Sequence, residues 1–68
     1  MVELNFKTNL KKLRKSAKLT QAELADKIKV GQRTVSTWET GVAEPDMKTL
    51  SVLCNFFKCD FNALLSKN

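Results

Sequence analysis

The sequence has no His and no Tyr, and only one Pro, two Gly and two Cys in 68 residues. Without His, the commonest general base and the commonest metal ligand are missing. Two Cys cannot make a cystine framework, and zinc sites need about four Cys or His ligands. There is no clustered carboxylate pair and no Gly-rich phosphate loop, so an enzyme is a poor reading. Long apolar runs are also missing. The longest uncharged stretch, Thr49 to Phe57, falls far below the ~20 residues of a membrane span. Met1 to Asn9 has no basic segment followed by an apolar one, as a signal peptide would. A soluble intracellular protein is expected, with no catalytic residue, no metal, no cofactor, no small-molecule ligand and no membrane partner.

What is present is charge and apolar content. Lys and Arg number 12 against seven Asp and Glu, giving a net charge of +5, and 43% of residues are hydrophobic. That apolar share separates the chain from disordered sequences. Its length predicts a single domain over residues 1–68, one that buries only ~60% of the surface its unfolded form exposes. The positive charge suits an anionic partner but serves solubility equally well, so its placement has to decide.

The hydrophobic spacing predicts five helices and no strand. Val and Ile together number six and never alternate with polar residues over a run. The first helix is expected over about Asn5 to Ala17, with Asn5 as N-cap and Phe6, Leu10, Leu13 and Ala17 as a narrow apolar stripe. Lys7, Lys11, Lys15 and Lys18 form a second stripe, either a solvated face or a phosphate-facing flank. Thr20-Gln21-Ala22-Glu23 has the spacing of a capping box and starts a second helix with Leu24, Ala25 and Ile28 inward. After Lys29-Val30-Gly31, a third helix spans about Gln32 to Thr40, with Val35 and Trp38 on one side and Gly41 as a left-handed stop. Asp46, behind Pro45, caps a fourth helix whose inner face is Leu50, Leu53, Cys54 and Phe57. Asp60 caps a short fifth helix carrying Phe61, Leu64 and Leu65.

Residues 21–40 therefore hold two helices joined by about three residues, with Ala25 small enough for a close crossing. This is the layout of a helix-turn-helix, whose second helix enters a DNA major groove. Thr20-Gln21-x-x-Leu24-Ala25, Val35-Ser36-x-Trp38-Glu39-x-Gly41, Pro45, Leu50-x-x-Leu53 and Leu64-Leu65 extend the likeness. With these motifs the chain, over about residues 4 to 66, resembles the Cro/CI-type (xenobiotic-response-element type) helix-turn-helix domain. The resemblance implies an all-α, compact, lambda-repressor-like bundle of five helices. It also implies a small transcriptional regulator or repressor that binds double-stranded DNA as a homodimer on a palindromic operator, in a prokaryotic or phage-type cytoplasm on the nucleoid.

The resemblance also assigns roles. Gln32, Arg33 and Thr37 would reach base edges. Arg suits guanine, Gln suits adenine, and the Thr methyl suits thymine. Gln21, Thr34, Ser36, Thr40 and Lys11 would contact the DNA backbone, Gln21 through its amide at a helix N-terminus. Arg14 and Glu39 would form a partly buried ion pair. Phe61, Asn62 and Leu65 would line a dimer surface. Phe56 joins them because it and Phe57, being consecutive, cannot both face inward.

The sequence also departs from the family pattern. Lys29 and Lys58 stand where Gly is usual, Gly31 replaces a hydroxyl cap, and the loop Val42-Ala43-Glu44 is neutral to acidic. Cys54 and Cys59 fall at core positions and read as packing rather than redox or metal chemistry, because a spacing of five is not Cys-x-x-Cys and an intracellular protein keeps its thiols reduced. A second function stays open: an antitoxin or other protein-interaction module on the same fold, with a toxin as partner. In 68 residues no sensor domain is expected, so regulation would come from concentration, partners or proteolysis.

Overall fold

In a computed structural model, which describes residues 6–65, the chain forms α1 (Phe6–Ser16), α2 (Gln21–Ile28), α3 (Gln32–Thr40), α4 (Met47–Phe57) and α5 (Phe61–Leu65). The expected cap Asn5 lies outside the described residues. The α2–α3 pair packs most extensively, α1 lies across α3 and α5, and α4 meets α5 and α2. Their shared core is Phe6, Leu10, Leu24, Ala25, Ile28, Val35, Trp38, Leu50, Leu53, Cys54 and Leu64.

Side-chain caps start α2, α4 and α5. The Glu23 amide donates to Thr20 Oγ1 at 3.0 Å and the Thr20 amide donates to Glu23 Oε1 at 2.8 Å, a reciprocal capping box. Thr49 N–H donates to Asp46 Oδ1 at 2.9 Å, and these bonds from Thr49 hold the Asp46 carboxyl below the usual range. Ala63 N–H donates to Asp60 Oδ1 at 3.0 Å.

Helices α1 to α4 end alike. In each, a residue in the left-handed region follows the helix, and the next amide reaches back to a carbonyl five residues earlier, a Schellman closure. The bonds run from Leu19 to Arg14, Val30 to Ala25, Val42 to Thr37 and Cys59 to Cys54. The left-handed residue is glycine only once, at Gly41 (φ 82°). Lys18, Lys29 and Lys58 take the conformation at φ 61°, 63° and 55°. The turns are thus the usual ones with lysine in them, not altered turns.

The buried face of α1 differs from the expected stripe. Ala17 is exposed and Leu13 only half-buried, while Asn9 and Arg14 are buried with Phe6 and Leu10. Ala17 still closes a helical bond, its amide donating to the Leu13 carbonyl at 3.0 Å, and the left-handed turn follows at Lys18. Phe57 is likewise half-buried: it and Phe56 share the lower edge of the bundle, their rings edge to face at 5.0 Å.

Candidate nucleic-acid interface

Helix α3 is two-sided. Val35 is wholly buried and Trp38 nearly so, with the Trp38 ring edge-on to Phe6 at 6.4 Å. On the opposite side the spacing of 3.6 residues per turn aligns Arg33, Ser36, Thr37 and Thr40, at i, i+3, i+4 and i+7. Arg33 and Thr40 are exposed, Ser36 and Thr37 half-exposed; Gln32 is exposed at the tip and Thr34 half-exposed on the flank. Thr37 Oγ1 donates to the Thr34 carbonyl at 2.7 Å and Thr40 Oγ1 to the Thr37 carbonyl at 3.1 Å. Both hydroxyl protons are thereby used within the helix, leaving oxygen lone pairs and methyl groups for a ligand. The N-cap, Gly31, makes no side-chain cap bond, so the first amides of α3 are not covered by a capping side chain.

At its other end α3 is held by α1. A Cβ built on Gly41 would lie 3.1 Å from Lys7 Cδ, with φ at +82°, so the position needs glycine both for its conformation and for the Lys7 stem laid against it. Lys7 thereby stands at the C-terminal, partially negative end of α3.

A polar cluster joins α1, α2 and α3. Arg14 Nε donates to Glu39 Oε2 at 2.6 Å and Nη2 to Oε1 at 3.0 Å, a two-pronged pair whose side chains expose 10% and 3% of their surface. Arg14 Nη1 donates to the Leu19 carbonyl at 2.8 Å. Gln21 Nε2 donates to Glu39 Oε1 at 3.1 Å. Burial works to raise the Glu39 carboxyl, but the bonds from Arg14 and Gln21 and the charges of Arg14 and Lys11 outweigh it and hold it below the usual range. The bond to Glu39 raises Arg14 above its ordinary value.

Gln21 is therefore not simply an open amide at a helix start. One of its two N–H groups serves Glu39, and its amide carries a second. Lys11 is exposed beside the same cluster. Sequence reasoning missed both this tie and the buried Asn9, whose Nδ2 donates to the Leu64 carbonyl at 2.8 Å. Its spacing from Phe6 and Leu10, at i+3 and i−1, would have placed it on the buried face. At the far side of the bundle Phe61 and Asn62 are exposed, whereas Phe56 and Leu65 are half-buried against the core. Among the described residues no group of three or more His, Cys, Asp or Glu could hold a metal ion, and no helix is long and apolar enough to cross a membrane.

Comparison with known proteins agrees on the architecture. The family model described as helix-turn-helix matches residues 10–64. An uncharacterized HTH-type transcriptional regulator of Bacillus subtilis, YqaE, is 42% identical over 60 residues, covering 88% of this chain and 52% of that protein. The HTH-type transcriptional activator BcrR of Enterococcus faecalis is 35% identical over 63 residues, covering 93% of this chain and 31% of its own length. The crystal structure of a transcriptional regulator from Listeria innocua superposes with a TM-score of 0.87 at 28% identity, covering 94% of this chain and 60% of that one. The chain thus spans between about a third and three fifths of the length of these relatives.

Proposed function

Because the chain belongs to the helix-turn-helix family whose relatives here are transcriptional regulators, we propose that it binds double-stranded DNA sequence-specifically, with α3 in the major groove. The carrying observation is the division of α3: Val35 and Trp38 fix one side in the core while Gln32 and Arg33 stand exposed at its N-terminal end. That is the end a recognition helix presents to base edges. Arg33 reads guanine, Gln32 adenine, and Thr37 contacts a thymine methyl. Gln21 through its second N–H, Thr34, Ser36, Thr40 and Lys11 hold the backbone.

One such helix covers only a few base pairs, so the protein acts as a homodimer. Its surface includes Phe61, Asn62, Leu65 and the edge of Phe56, and its two half-sites lie about 34–36 Å apart. Selection of bound sequences from a random duplex library at stated salt tests this directly. An enriched palindrome supports the reading; no enrichment overturns it.

A second reading, a module that binds a protein such as a toxin, is favoured by the loop after α3. Val42 is 77% exposed there and Glu44 is exposed near it, so the loop itself offers an apolar and an acidic side chain, with Lys7 laid against Gly41 at its start. Co-purification with a partner at the expense of duplex binding would favour it.

A further inference from the structure

The closure of α4 brings together two residues that look unrelated in sequence. The Cys59 amide donates to the Cys54 carbonyl at 3.0 Å, with Lys58 left-handed at φ 55°. A closure of this type sets the side chain before the last turn against the side chain two beyond the helix. At the other three ends these pairs are Arg14 with Leu19, Ala25 with Val30 and Thr37 with Val42; only here are both positions cysteine.

Bond lengths across that hydrogen bond keep the two Cα atoms within about 7 Å. Disulfide-bonded cysteines have Cα atoms ~4.4–6.8 Å apart. Both residues are free thiols. Cys59 is partly exposed, and Cys54, though buried, borders an open groove with Ser51, Asn55, Asp60 and Phe61. Burial, and next the Cys59 thiol beside it, push the Cys54 thiol up.

We propose that Cys54 and Cys59 are a dithiol modification site that small-molecule disulfides convert to an intramolecular disulfide. The more exposed Cys59 thiolate attacks one sulfur of RS–SR, forming Cys59–S–SR and releasing RS⁻. The Cys54 thiolate then attacks the Cys59 sulfur, forming the Cys54–Cys59 bond and releasing a second RS⁻. The two protons lost by the protein thiols end on two RSH, and two electrons pass from the protein to the small disulfide.

The test is to incubate the full chain with oxidised glutathione, then measure intact mass, alkylation by a maleimide and migration on a non-reducing gel. The expected result is a loss of the mass of two hydrogens, both thiols protected, a monomeric band, and full reversal by dithiothreitol. Cys54→Ser is expected to stop at one glutathione carried on Cys59, and Cys59→Ser to react far more slowly. Three results overturn the proposal: a persistent glutathione adduct on the unaltered chain, a disulfide linking two chains, or two thiols that stay open to alkylation. None of these readouts depends on DNA.

Discussion

The Asn9 amide nitrogen sits 2.8 Å from the Leu64 carbonyl oxygen and donates to it, joining residues 55 apart in sequence. The bond ties α1 to the end of α5, a helix of five residues that has little stability of its own. Asn9→Ala leaves the buried carbonyl without this donor, a loss of about 1–3 kcal/mol. Urea unfolding is expected to show a lower midpoint with an unchanged slope. A midpoint shift near zero would mean that water replaces the amide.

The Arg14–Glu39 pair leads to a second prediction. Glu39→Ala leaves the Arg14 guanidinium, which exposes only 10% of its surface, with one remaining acceptor at Leu19. A fully buried pair loses ~3–5 kcal/mol when one partner is removed; partial exposure of Arg14 lowers the expectation to about 1–3 kcal/mol. The sign of the pH dependence follows from the depressed Glu39 carboxyl. Its contribution is complete above the ordinary carboxylate range and is lost as pH falls through the lowered folded-state value. Acid unfolding of the unaltered chain is expected to steepen in that window, and Glu39→Gln to flatten it.

How far the sequence disclosed this molecule depends on the kind of residue. Helices α2, α3 and α4 could be read because Thr20, Asp46 and Gly41 act locally, through bonds within a few residues of themselves. The outer residues of α3 were legible for the same reason, since helical period alone separates Arg33 from Val35. Asn9 was not, because its partner lies in the last helix and a polar residue gives no apolar signal. Nor was the tie from Gln21 to Glu39, which depends on how α2 crosses α3. The turn at Lys58 was marked by its likeness to a Gly position, but the approach of Cys54 to Cys59 was not, because it follows from the closing bond between them and not from their spacing of five.

Those lysines carry a third prediction. At Lys29 and Lys58 the Cβ pays the left-handed penalty of ~1–2 kcal/mol, set against the extra freedom glycine gives the unfolded chain, ~0.4–1 kcal/mol. Lys29→Gly and Lys58→Gly are each expected to stabilise by about 0.5–1 kcal/mol, or roughly 2–8 °C in a domain of this size. Lys27→Gly, two residues before Lys29 but inside α2, is the control and is expected to destabilise by about 0.5–1 kcal/mol. Thermal unfolding of the three variants separates relief of a strained turn from a general effect of removing charge.

The last prediction separates reading from holding. On the proposed interface Arg33 meets a base edge and Lys11 a phosphate. Arg33→Ala is expected to lose about 1–3 kcal/mol of discrimination at one base pair and leave preference elsewhere unchanged. Lys11→Ala is expected to weaken all duplexes equally and to lower the slope of log K against log salt by about 1. Anisotropy titrations on a selected operator and its single-base variants, at several salt concentrations, measure both. If Arg33→Ala weakened every sequence alike, its guanidinium would lie on phosphate. If Lys11→Ala left the salt slope unchanged, the ammonium that now helps hold Glu39 ionised would be serving that carboxylate rather than DNA.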